Sequence, residues 1–516
     1  IKRLIVIDIF LGNDDDPQLI FESLNSTGLD LTEADKIRNF VLLGLSEDKQ
    51  EEYYTKYWSS IEKDCSGKDD LDNFIRDYLT IKSPTGDIPK FQDVYPAFKS
   101  FAEGKEIEPI MAEMKRHASL YKRIKSARVG DASANEIMAR LNYLELTITY
   151  AYLLGLLTYA EEHNMPQSEI TEILSCIEIF VFRRLICGYP TNALLKMFAT
   201  LHQQVLKNKK EEDSYYDVMV YLLENRKRTV VFPKDDEFRQ SFIEKPVYLM
   251  RPKSRTYILD RLENGNSKEK IDVINNVQKG ELSVEHIMPQ TLTQHWKEQL
   301  GSDYSRIHEE WLHTIANLTL TGYNVQYSNR PFLEKKEDKN GFAASPLRLN
   351  KYISKFDKWT EAEMKERQTE MGKRALTVWP YPETSYKPAV KLDDEVSVYD
   401  EDFVFKGRKI NSFTLTGTIY SVPDWADTIR DTFKLLYEIN PSILQDEANS
   451  RDNVWITREN AKNETYIKKV ADDVWVNTGN DTNTKVKLLR QVARLYNLAE
   501  NDLVFSLVPI KEERDN

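Results

Sequence analysis

From about residue 46 to residue 245 the chain reads as helix almost throughout, with apolar residues returning at helical spacing over 53–63, 71–80, 107–122 and 134–160. Segments of this kind bury their apolar stripes by packing helix on helix. The block is therefore read as an antiparallel helical array with the role of a scaffold. Ser168 is placed to cap a helix reaching residue 186, which Gly188 and Pro190 end, and Thr191 to cap the next, to about residue 207. No repeat of fixed period is visible. The most apolar stretch, 146–160, contains three threonines and is short for a bilayer crossing, so it reads as a buried helix.

The flanks differ. Residues 4–11 read as a buried strand, 13–17 as a turn and 18–24 as helix. Asn25-Ser26-Thr27-Gly28 breaks that helix. Thr32 opens another, with Asp35 as capping-box partner and Ile37, Phe40, Val41 and Leu43 as its apolar face. Beyond 245 come a helix at 257–263, a short strand at 282–287, a loop-rich stretch to 327, and helices at 332–336 and 359–373. Residues 378–402, with Pro380, Pro382 and Pro388, read as a linker. After it, strands within 403–420 and 473–477 and helices at 425–437 and 484–496 describe a small separate domain. The fold class is α+β and mainly helical, divided at 1–45, 46–245, 246–378, 379–402 and 403–516.

A length of 516 residues implies two to four domains. The net charge of −12 argues against a general nucleic-acid coat and confines any DNA-binding surface to local patches. Cys65, Cys176 and Cys187 are odd in number and form no CxxC pair, which argues against a disulfide framework and a cysteine-ligated zinc site and fits a reducing cytoplasm. The chain opens at Ile1 in what reads as mid-strand and shows no signal peptide, so a fragment of a longer protein is expected.

Four of the seven histidines fall between 286 and 313. The segment opens Leu282-Ser283-Val284-Glu285-His286-Ile287-Met288-Pro289-Gln290, continues through Ile315-Ala316-Asn317-Leu318-Thr319-Leu320 to Asn324 and Asn329, and closes on Lys335 and Lys336. Phosphodiester hydrolysis needs a base near neutral pH, which histidine supplies. It also needs a divalent cation to neutralise charge on the phosphate. Mg²⁺ takes oxygen ligands and keeps several waters, so Glu285 with an amide oxygen of Asn324 or Asn329 would suffice. A regular strand would send Glu285 and His286 to opposite faces; Pro289 forces a departure from it.

Glu-His-Ile-x-Pro, then Asn-Leu-Thr-Leu, then Asn, resembles the ββα-metal fold of His-Asn-His endonucleases. The resemblance implies His286 as general base, Asn317 as the residue orienting it, Glu285 as a metal ligand and Asn324 as the last ligand, with Asn329 the rival for that place. It implies Mg²⁺ or Mn²⁺ as cofactor. The acidic position holds Glu where Asp is common. His295, His308 and His313 match no position of the pattern and read as structural.

Phe21-Glu22-Ser23-Leu24-Asn25-Ser26-Thr27-Gly28-Leu29-Asp30-Leu31-Thr32 is similar to the closing motif of a ParB-like nucleotide-handling domain. The two resemblances together are those of GmrSD-type restriction enzymes. They imply cleavage of phage DNA, commonly base-modified, stimulated by a nucleoside triphosphate. The upstream nucleotide motif of that family is not in this sequence, so NTP use is expected only through a domain preceding it. DNA is the expected partner, with no membrane, and a homodimer stays open. Lys335, Lys336, Arg226 and Arg228 are candidate phosphate contacts, and the clusters 123–128 and 207–210 read either as such contacts or as solvated helix faces. Trp425, Trp455 and Trp475 read either as stacking platforms or as core. The alternatives to a nuclease are a catalytically silent DNA- or protein-binding module and a regulatory subunit that needs the nucleotide domain.

Overall fold

The computed structural model describes residues 31–43, 45–67, 69–83, 86–226, 230–265, 267–387, 394–400, 403–416, 418–450, 456–457, 466–499 and 502–508. The strand expected at 4–11, the Asn25–Gly28 turn, Arg228 and Trp455 lie outside these. The chain forms two units, one ending at Tyr386 and the other beginning at Lys387. No helix among the described residues is long and apolar enough to cross a membrane.

The first unit is helical up to residue 264. Its earliest described helix, Glu33–Leu42, starts where expected, with the reciprocal Thr32–Asp35 box. The helix expected over 53–63 contains a π turn, Tyr54–Trp58, which turns Tyr57 and Trp58 into the core. The single helix expected over 134–160 is two, Ala132–Tyr143 and Tyr150–Glu162. Between them Glu145 adopts φ 60°, and Leu146 N–H reaches back to Leu141 O at 3.2 Å. This is a left-handed helix end built without glycine, so composition did not announce it.

Helix α1, Gln167–Cys187, is buried around most of its circumference and runs through the middle of the array. Pro166, with φ already fixed near helical values, occupies the N-cap, so Ser168 lies inside the first turn instead of capping it. Gly188 ends the helix at φ 78°. Two more helices, α2 (Asp235–Glu244) and α3 (Pro252–Asn264), lead out of the array.

A two-stranded antiparallel sheet follows, β1 (Ser283–His286) on β2 (Leu318–Thr321). Short helices α4 (Asn324–Tyr327), α5 (Phe332–Glu337) and α6 (Arg348–Ile353) precede the long α7 (Glu361–Val378). An apolar cluster that includes Trp296, Trp311, Phe332, Phe342 and Trp359 fills the space beneath the strands.

The end of α7 is tied to the scaffold. Trp379 stacks on Phe182 of α1 at 4.2 Å, and the Arg183 guanidinium donates to Trp379 O, Pro233 O and the Asp235 carboxylate. The Trp379 indole N–H donates to Tyr257 OH, and Tyr257 OH to Glu178, which also accepts a bidentate pair from Arg140. Burial opposes ionisation of Glu178, yet the adjoining Arg140 keeps its carboxyl below the usual range. The Glu178 charge is thus paired and hydrogen-bonded, as a low-dielectric interior requires.

In the second unit a four-stranded antiparallel sheet runs in the order β3 (Asp394–Ser397), β9 (Leu503–Leu507), β4 (Ile410–Leu415), β5 (Thr418–Ser421). A second sheet orders β6 (Ile456–Thr457), β8 (Val474–Asn477), β7 (Ile467–Ala471). Strand β3 falls within the stretch read as linker. Helices α8 (Trp425–Ile439) and α9 (Thr482–Leu495) contribute Ile429, Phe433 and Leu489 to one core with Phe413 and Phe505. Trp425 belongs to that core, its indole N–H bonded to Arg408 O, whereas Trp475 is half-buried.

Candidate active site

Strand β1 pairs with β2 so that Glu285 opposes Thr319 and His286 opposes Leu318. Side chains alternate along a strand, and β1 is regular through His286, so the two neighbours leave on opposite faces. The turn at Pro289 comes too late to change this.

Asn317 sits just before β2 and is fully buried. Its amide clamps the chain leaving β1: Nδ2 donates to Met288 O at 2.9 Å and Oδ1 accepts from Met288 N–H at 2.8 Å. Nδ2 also donates to Leu312 O at 3.1 Å, and Oδ1 accepts from the Trp359 indole at 3.2 Å. Both donors and both acceptor positions of the amide are used. Ile287 N–H adds a bond to Asn317 O, and Arg367 of α7, wholly buried, donates to the carbonyls of Ala316 and Leu318 on either side. The segment that positions His286 is therefore pinned from two directions.

His286 is 5% exposed. Burial first, then the charges of His313, Lys335, Arg255 and His308, push its imidazole down to about 3. The ring is neutral at physiological pH, the form that accepts a proton. Nε2 lies 3.3 Å from Nδ1 of His313, and the Tyr248 ring packs edge-on at 4.2 Å. His308 bonds Pro289 O at 3.0 Å, holding the same loop farther out.

Glu285 takes a different course. Its carboxylate receives the Lys335 ammonium at 2.6 Å, and the same ammonium donates to His286 O at 3.0 Å and Ile287 O at 3.2 Å. Glu285 is 3% exposed and Lys335 is sealed completely. Burial opposes both charges, raising the Glu285 carboxyl and lowering the Lys335 ammonium, while each favours the other's ionisation. With the pair 2.6 Å apart and hydrogen-bonded, the charged form is the one the geometry supports. Lys335 is therefore placed in the interior, away from any phosphate.

Asn324 opens α4 and donates to Val284 O at 2.9 Å and Ser283 Oγ at 3.3 Å, tying the helix to β1. Asn329 lies in the turn before α5, half-buried. Neither is bonded to His286 or Asn317. Lys336 directs its charge to Asp357 and Phe356 O, and Arg226 bonds Gln204. Among the described residues no three His, Cys, Asp or Glu side chains converge on a common point for a metal ion.

The sequence gives no role to Tyr248, Arg255, Trp359 and Arg367, and His313, read as structural, stands beside His286. The density of histidines was the available signal for His313. The others carry none: Tyr248, Trp359 and Arg367 reach the site from tens of residues away, and Arg255 acts on it through Tyr248.

No curated protein matches the chain. Residues 232–374, which run from before α2 into α7 and include β1, Asn317 and β2, match the family model for the C-terminal domain of GmrSD restriction endonucleases. That match, over under a third of the chain, supports a GmrSD-type restriction endonuclease assignment.

Proposed function

We propose that this chain is a DNA endonuclease of the His-Asn-His type, in which neutral His286 takes the proton from the water that attacks a phosphodiester. The observation carrying the proposal is the Asn317 clamp, which uses every hydrogen-bonding position of its amide to fix the residues that follow a buried, unprotonated histidine. The match at 232–374 supports the same reading and suggests a role in restriction; phage DNA, commonly base-modified, is the substrate proposed.

Dependence on Mg²⁺ or Mn²⁺ belongs to the proposal on chemical grounds, since a dianionic transition state at phosphorus needs compensating charge. The donors expected for that ion do not fit it as they stand: Glu285 is on the face opposite His286 and is neutralised by Lys335. The same observation favours the second reading, a module that binds DNA or protein without cutting.

A plasmid-nicking assay decides between the two. Wild type and His286→Ala are compared on plain and base-modified DNA with Mg²⁺, Mn²⁺ or EDTA, with and without NTP. Cutting by wild type and none by a folded His286→Ala is the expected result. Cutting that survives in the variant rejects His286 as base, and DNA binding without cutting under every condition supports the silent module.

A further inference from the structure

A base that is buried among cationic neighbours must also dispose of the proton it takes. The structure holds an acceptor on the far side of the ring: Nε2 of His286 lies 3.3 Å from Nδ1 of His313, with the rings at 71°. Tyr248 organises both imidazoles. It meets His286 edge-on, lies parallel to His313 within 11° at 5.4 Å, and its N–H bonds His313 O at 3.1 Å. Arg255 of α3 fixes Tyr248 in turn, donating to its carbonyl at 2.7 Å with the guanidinium over the ring at 4.6 Å. Exposure rises along the path, from buried His286 to half-buried His313. Lys335, Arg255 and His308 are the other charged or titratable groups around His286.

We propose that His313 is a proton relay for His286, a role that rests on reading His286 as the base. At rest His286 holds its proton on Nε2, donated to Nδ1 of His313, and keeps the lone pair of Nδ1 for water; His313 holds its proton on Nε2. As water attacks phosphorus, an O–H bond breaks and the proton joins Nδ1 of His286. A P–O bond forms to the water oxygen, and the P–O bond to the leaving oxygen breaks. The Nε2 proton of His286 then passes to Nδ1 of His313, and the Nε2 proton of His313 passes to solvent, which protonates the leaving oxygen. Both rings end as the other neutral tautomer. They return when water refilling the cleft takes the proton from Nδ1 of His286 and the relay runs in reverse. No lasting imidazolium is formed in the interior, where it is least stable.

The test uses the full chain labelled with ¹⁵N-histidine, its seven histidine signals assigned by single substitutions. Wild-type His286 is expected as the tautomer protonated on Nε2, and His313→Ala, which removes the acceptor, is expected to release that preference. In the nicking assay, His313→Ala is expected to lower kcat at least about tenfold with KM kept, to shift the pH profile, and to regain rate on addition of imidazole. A wild-type His286 protonated on Nδ1 overturns the relay, and so does His313→Ala cutting at the wild-type rate with an unchanged profile. If His286→Ala still cuts, the base assignment fails instead. If wild type does not cut under any condition, the reading of His286 as base fails and the relay falls with it.

Discussion

Replacing Lys335 by Met is the most demanding perturbation of the site that leaves its catalytic groups in place. The change deletes an ammonium that makes contacts of 2.6, 3.0 and 3.2 Å and leaves the Glu285 carboxylate, 3% exposed, without a counter-charge. Removing one partner of a buried pair costs about 3–5 kcal/mol. Replacing both, as Glu285→Leu/Lys335→Met, removes the stranded charge and leaves only the carbonyls of His286 and Ile287 short of a donor, so the double variant is expected to lose about 1–3 kcal/mol. The double variant thus ends more stable than Lys335→Met alone. Urea unfolding followed by tryptophan fluorescence measures this, because Trp296, Trp311 and Trp359 are buried in the cluster beneath the strands. A Lys335→Met variant within about 1 kcal/mol of wild type, or a double variant no better than the single, refutes the argument. So does Mn²⁺ stabilising wild type but not Glu285→Gln, which would place Glu285 in a metal site.

Two further outcomes follow from the same geometry. Asn317→Ala leaves the Met288 N–H, the Trp359 indole and two carbonyls unpartnered in the interior; a loss of about 3 kcal/mol or more in urea is expected, against about 1 kcal/mol for Trp359→Phe, which removes a single donor. His286 has a folded value near 3 against 6.5 when unfolded. The unfolded chain therefore binds the extra proton first, and stability falls as pH drops from 6.5 towards 3, by about 2 kcal/mol at pH 5. His286→Asn should remove that part of the acid sensitivity in unfolding curves taken between pH 7 and 5, and curves that stay parallel to wild type would contradict the burial of a neutral ring.

Features set by neighbours in sequence were legible and those set across the fold were not. The Thr32–Asp35 box and the Gly188 helix end depend on residues a few positions apart, and local chemistry fixes them. Glu145 ends a helix in a left-handed conformation with no Gly or Pro to mark it, so the break was missed. His286 and Asn317 stood out because both belong to one short pattern, and the structure brings the Asn317 amide onto the loop after His286. Lys335 reads in sequence as a surface charge near DNA; fifty residues separate it from the carboxylate that draws it inside. Strand alternation, known in principle, separates Glu285 from His286 once β1 proves regular to its end.

The docking of Trp379 into the scaffold bears on how this molecule is dissected. The family match stops at residue 374, inside a helix that continues to Val378 and delivers the tryptophan onto Phe182 and Arg183. A fragment of 232–374 would lack Phe182 and Arg183 altogether, and a chain ended at 374 would bare an apolar socket on the helical array and leave the Arg183 guanidinium with Pro233 O and Asp235 but without the Trp379 carbonyl. The limits of homology and the limits of autonomous folding are different lines on this chain, and a soluble truncation has to keep the helical array and residue 379 together.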